Sequence, residues 1–164
     1  MLKRASGSAS DWESWANEHG WRYTAPAPHL AGRFLPDLAR RETQEDYLWS
    51  VDGTQDDLEF VAFQRRLDRK VKGGVKKTVD WDDHLAVHLP GVVRADLRAM
   101  EPAAAFASLG GSLAGRYDFS WHGEDWVLGS GQRPAPVEVE RTLRQISSQL
   151  ALAPAEIWER KPTT

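Results

Sequence analysis

Apolar and polar residues alternate along two stretches of this chain in a way that predicts a long hairpin. Leu58, Phe60 and Ala62 recur at every second position, as do Leu85, Val87 and Leu89, the period of a strand with one buried face. Gly73-Gly74 lies midway between them and suits a two-residue turn that needs positive φ. With the turn there, Leu58, Phe60 and Ala62 face Leu89, Val87 and Leu85, while Glu59 falls opposite His88 and Arg65 opposite Asp82. One register satisfies the core and two charge pairs together, and a one-residue slip would turn the apolar set to the other face. Arms of about fourteen residues at roughly 3.3 Å each give a hairpin on the order of 45 Å long, so its tip is expected to project into solvent with Lys77 opposite Lys70.

The same reading places the other elements. Residues 1–10 are small and polar and are expected to be a flexible terminus. Ser10 as N-cap, Glu13 three residues on and Gly20 as a stop bound a helix over Asp11 to His19, with Trp12, Trp15 and Ala16 on one face. Trp21 to Thr24 reads as extended, and His29 to Leu35 as a helical turn between prolines. Tyr47, Trp49 and Val51 alternate as a strand that a loop over Asp52 to Asp57 ends, and the polar Asp37 to Glu45 segment is left unplaced. Pro102 to Leu113 reads as a helix stopped by Gly110-Gly111. Tyr117, Phe119 and Trp121 form a second hairpin with Trp126 to Leu128 through His122-Gly123-Glu124-Asp125. Pro136 opens an amphipathic helix with Val139, Leu143, Ile146 and Leu150 as its stripe, followed by a last turn holding Ile157 and Trp158. The expected fold is α+β: an antiparallel sheet of about five strands around a long central hairpin, covered by the C-terminal amphipathic helix, in one domain over 11–160 with a protruding basic hairpin at 65–77.

Charge changes this picture at one place. The formal net charge is −3, yet Arg65, Arg66, Arg69, Lys70, Lys72, Lys76 and Lys77 stand against the single acid Asp68. That segment carries +6 and the remainder −9, an acidic body with one basic projection. No cysteine is present, so thiolate metal sites, disulfides and cysteine nucleophiles drop out. No signal-peptide run or membrane-length apolar stretch is found, so a soluble cytoplasmic protein with no membrane contact is expected.

Candidate chemistry is sparse. His84 and His88 resemble a zinc motif, but four residues along a strand part the side chains by roughly 13 Å. Asp80, Asp82 and Asp83 are read as partners of Arg65 and Arg69 across the hairpin rather than as a cation site. Gly129-Ser130-Gly131 resembles a fragment of a nucleophile elbow but reads as a loop, and no phosphate- or dinucleotide-binding fingerprint occurs. No catalytic, metal or cofactor site is therefore assigned. Trp12 and Trp15 fit a core-facing stripe, with a pocket for a small molecule or an enzyme, lined by some of the eight tryptophans, as the alternative.

The succession Gly20-Trp21-Arg22-Tyr23, the strand Leu85-Ala86-Val87-His88-Leu89-Pro90, the strand Trp126-Val127-Leu128 and a closing helix near Trp158 resembles a group of uncharacterised actinobacterial proteins. The likeness spans some 130 residues in layout and implies a discrete domain without implying an activity; some members are membrane-tethered, and this chain differs in having no span. The functional reading rests on the basic segment. Arg65, Arg66, Arg69, Lys70, Lys72, Lys76 and Lys77 are expected to contact an acidic protein surface in a non-enzymatic binding or regulatory role, with sequence-independent nucleic-acid binding as the alternative. No aromatic lies between Arg65 and Lys77 on which a base could stack.

Overall fold

The computed structural model describes residues 9–36, 43–70, 73–74, 76–108, 117–131 and 135–160, with the backbone alone at 9, 70 and 76–81. Helix α1 covers Ala9–His19 and ends at Gly20, whose φ of 71° is the left-handed conformation that stops a helix. Ser10 lies inside the first turn rather than capping it. Strand β1 (Arg22–Thr24) follows, then a 3-10 turn over Pro28–Leu30, and then the long strands β2 (Thr43–Gln55), β3 (Leu58–Lys70) and β4 (Lys76–His88). After β5 (Val92–Val93) come α2 (Ala95–Arg98) and α3 (Pro102–Ser108), the hairpin β6 (Asp118–His122) with β7 (Trp126–Gly131), and α4 (Pro136–Leu152). A 3-10 turn, Ala155–Ile157, leads into β8 (Trp158–Arg160).

Six strands, one more than expected, form an antiparallel sheet in the order β1-β2-β3-β4-β7-β6, and β5 pairs with β8 separately. The central register is the one that the alternation demands: Phe60 faces Val87, Ala62 faces Leu85 and Arg65 faces Asp82. It holds to Leu67 opposite Asp80 and then shifts, because Val79 is an extra residue on β4; Lys70 is therefore opposite Lys76, not Lys77, and Arg69 is opposite Lys77. A second bulge at Leu48 separates the Tyr47–Arg65 and Trp49–Gln64 pairs. It puts Tyr47 on the opposite face from Trp49 and Val51, where simple alternation would have kept the three together.

Both faces are covered. On one, Trp49, Val51, Phe60, Ala62, Leu85, Val87 and Val127 pack under Trp12, Trp15 and Ala16 of α1 and under Val139, Leu143 and Ile146 of α4, the stripe expected for that helix. On the other, Tyr47, Val61, Phe63, Ala86 and Leu128 pack under Ala27, Leu30 and Phe34 from the segment between β1 and β2. Burial from two sides explains why Phe60 to Phe63 is apolar at every position rather than at every second one.

Two other expectations are corrected. The loop read over Asp52 to Asp57 is mostly strand: β2 runs on to Gln55, and the turn is Asp56-Asp57, both with positive φ (49° and 63°), the requirement of a tight hairpin. Gly129-Ser130-Gly131 is not a loop but the end of β7, paired with β4 from Asp83 to Leu85. The helix stop expected at Gly110-Gly111 lies outside the described residues.

Candidate functional site: the basic end of the hairpin

The seven basic residues singled out by the sequence divide into two sets. Arg65 is internal, its side chain 8% exposed, with Nη2 2.9 Å from Asp82 Oδ2 and Nη1 3.9 Å from Glu45 Oε2. Arg66 is half-buried on the opposite face, with Nη2 3.2 Å from Asp46 and Nε 3.1 Å from Asp68. Both are engaged by carboxylates of their own sheet, two of them (Glu45 and Asp46) from the start of β2, ahead of the Tyr47 to Val51 alternation from which the sequence read that strand.

The outer set is arranged differently. Arg69 is exposed, Lys77 lies opposite it across the ladder, and Lys70 lies opposite Lys76, so two successive rungs pair cation with cation. On its other side Arg69 faces Thr43 of β2, so the ladder brings no acid to that rung. Asp68, the one acid of the segment, is buried beside Arg66. Gly73 and Gly74 have positive φ, 100° and 76°, but with Lys70 opposite Lys76 the turn centres on Gly73 and is not the two-residue Gly73-Gly74 turn expected; Lys72 lies outside the described residues. The hairpin does not run out alone. Among the described residues, strand β2 accompanies β3 as far as Arg69 and β7 accompanies β4 from His88 to Asp83, so that the basic end is borne there on three strands.

The residues weighed for catalysis have settled partners. Ser130 Oγ lies 3.0 Å from Nδ1 of His84, whose ring stacks on Phe63. This pairing was hidden in the sequence, where only knowing that β7 lies beside β4 reveals it. His84 Nε2 is 3.9 Å from Asp82, beyond hydrogen-bond range, and Asp82 is drawn instead to Arg65. His88 has Asp125 as its nearer partner, Nε2 to Oδ2 2.7 Å, with Glu59 at 3.7 Å. Among the described residues no group of His, Asp and Glu is assembled to hold a metal.

Aromatic side chains serve the interior. Trp12 stacks on Trp49 at 4.4 Å, and Trp15 meets Trp21 edge-on at 4.8 Å. An open basin of about 410 Å³ on the other face is lined by Arg22, Arg33, Asp52, Thr54 and Glu59, without tryptophan. Tyr117 is buried, and burial pushes its hydroxyl well above the ordinary phenol range, with the negative charges of Asp83 and Glu138 adding to the effect.

No family model matches this sequence, and no curated protein matches it. Among solved structures the chain is similar to the crystal structure of the mycobacterial trehalose monomycolate transport factor A, TtfA, at 16% identity and a TM-score of 0.46, over 95% of this chain and 97% of that one. No site residue is carried over from it.

Proposed function

We propose that this is a non-enzymatic binding or regulatory protein that contacts an acidic protein surface through the basic end of the β3–β4 hairpin. The observation that carries the reading is the pair of like-charged rungs, Arg69 with Lys77 and Lys70 with Lys76, beyond the point where Arg65 and Arg66 find carboxylates. Like charges directly opposite each other weaken a ladder, and an anionic partner offsets that repulsion while gaining from four cations gathered in two rungs. The short span of the cluster favours a patch of carboxylates. A nucleic-acid strand would find few phosphate contacts there and no aromatic between Arg65 and Lys77 to stack upon.

The test is a titration of the whole chain with a fluorescent glutamate-rich peptide, and separately with duplex DNA and single-stranded RNA, over about 25 to 300 mM salt. A variant with Arg69, Lys70, Lys72, Lys76 and Lys77 changed to Gln serves as control. Peptide binding lost in the variant is the expected result. Binding of DNA or RNA in preference to the peptide, with a log–log salt slope of about −3.6 on duplex DNA or about −2.8 on single-stranded RNA, as four phosphate contacts would give, replaces it with the nucleic-acid reading. No binding at the lowest salt, or equal binding by the variant, overturns both.

A further inference from the structure

Strand alternation gathers charged side chains at one end of the face that residues 27–35 cover. Arg22 pairs with Asp52 and Asp52 with Val61, so Arg22 and Asp52 share the face of Val61. Thr54 and Glu59, a further cross-strand pair, lie two positions along on that same face. Together with Arg33 these residues line the open basin of about 410 Å³, within the size range of small-molecule sites. Its walls carry two formal positive charges and two formal negative ones.

The four charges are not equally engaged. Arg22 Nη2 lies 3.6 Å from Asp52 Oδ2, and the Ser50 hydroxyl donates to the same oxygen at 3.3 Å, so Asp52 is already matched. Arg33 is held by rings instead: its guanidinium carbon lies 4.6 Å from the centroid of Phe34 and 5.7 Å from that of Trp126. Among the described residues no carboxylate comes within ion-pair range of Arg33, and stacking on rings leaves its fork of N–H donors for another acceptor. Glu59 Oε2 stands 3.7 Å from His88 Nδ1, past hydrogen-bond range, while His88 Nε2 lies 2.7 Å from Asp125. The Glu59 side chain is 57% exposed. One cation and one anion thus line a common basin without reaching each other.

We infer that the basin is a binding site for a small zwitterion of amino-acid or dipeptide size, its carboxylate on the Arg33 fork and its ammonium on Glu59. A molecule bearing both charges matches both groups. A simple anion gains Arg33 while approaching Glu59 and Asp52, and a simple amine gains Glu59 while approaching Arg33, so each meets a repulsion that the zwitterion offsets. Phe34 and Trp126 hold the guanidinium in place before the ligand arrives, which lowers the ordering cost of binding. Phe34 is itself buried against Phe63, so this platform is part of the core. Glu59 and Arg69 lie at opposite ends of β3, roughly 30 Å apart, and the inference does not rest on the reading of the basic end.

The experiment titrates the full chain with glycine, alanine and diglycine, and with acetate and ethylamine as single-charged controls, while backbone amide shifts are read by NMR. Exposed charge contacts of this kind give affinities on the order of 1 mM, so ligand is taken to about 10 mM. At least one zwitterion should saturate shifts at Arg33, Thr54 and Glu59, binding about tenfold more tightly than acetate or ethylamine. Arg33→Gln should abolish that binding, and Arg33→Lys should recover only part of it, because the charge returns without the planar fork. Glu59→Gln should bring acetate and the zwitterion to equal affinity, since the ammonium then has no partner and the anion less repulsion. Both side chains are exposed, so these variants keep the fold, and amides outside the basin check that they do. No shift with any zwitterion, acetate binding the native chain as tightly as the best of them, or undiminished binding by Arg33→Gln overturns the inference.

Discussion

Gly53 shows how one residue can mean something different in the fold from what it means in a string. Beside Asp52 it reads as a turn signal, yet it lies within β2, where a Cβ would sit 2.4 Å from Cδ1 of Trp21. Its smallness makes room for an indole whose Nε1 donates to the carbonyl of Thr54 at 3.1 Å. Tyr117 is the residue with the clearest pH consequence. Burial, Asp83 and Glu138 hold its hydroxyl protonated in the fold, while the unfolded chain ionises it near pH 10. The contribution of Tyr117 to stability is therefore complete below about pH 10 and is lost as pH climbs above it. Alkaline unfolding followed by far-UV circular dichroism should show a steeper loss for the native chain than for Tyr117→Phe, with phenolate absorbance from this residue appearing only on unfolding. Equal slopes for the two proteins would contradict that assignment. At the same scale Arg65 and Arg66 are neighbours with unlike surroundings, one internal and one half-buried, and each is paired within the sheet.

The β3–β4 hairpin is where stability and binding are expected to oppose each other. Lys70 faces Lys76, so Lys76→Glu converts a repulsive rung into an attractive one and should stabilise the fold by roughly 0.2–1 kcal/mol in urea denaturation. The same change removes two units of positive charge from the proposed contact surface and should weaken binding of a glutamate-rich peptide. A variant that gained both stability and peptide affinity would separate the rung from the binding surface. The hairpin as far as Leu67 was legible because its apolar alternation and its Arg65–Asp82 pair demand one register, whereas the turn is one residue off the centre expected for it and the extra Val79 makes up the difference. The shift beyond Leu67 was not, because Val79 is inserted where both strands turn mostly polar and alternation carries little signal. The bulge at Leu48 escaped for a related reason: Tyr47, Trp49 and Val51 all are buried, but on two different faces, and a burial pattern alone does not say which.

Across the whole molecule the sheet is a filling between two covers, α1 and α4 on one face and residues 27–35 on the other. The middle of β3 lies in that filling and should show the slowest amide exchange, at the free energy of global unfolding, whereas Asp68 to Lys70 and Lys76 to Thr78, past the bulge, should exchange sooner. Hydrogen exchange read by mass spectrometry checks this, and uniform protection along the hairpin would place the basic end inside the cooperative core instead. The amino-acid sequence by itself determined the class of fold, the central hairpin and its register as far as Leu67, the amphipathic α4, the tryptophan-bearing face of α1 and the concentration of positive charge, since each follows from short-range periodicity, turn chemistry or composition. Only the tertiary structure decided that β2 accompanies β3 to Arg69, that Glu45 and Asp46 of β2 reach Arg65 and Arg66, that the outer rungs are Arg69 with Lys77 and Lys70 with Lys76, and that His19 meets Glu140 from the far end of the chain. Those outcomes depend on which distant segment settles beside which, and a long-range contact leaves no period in the chain from which it can be read.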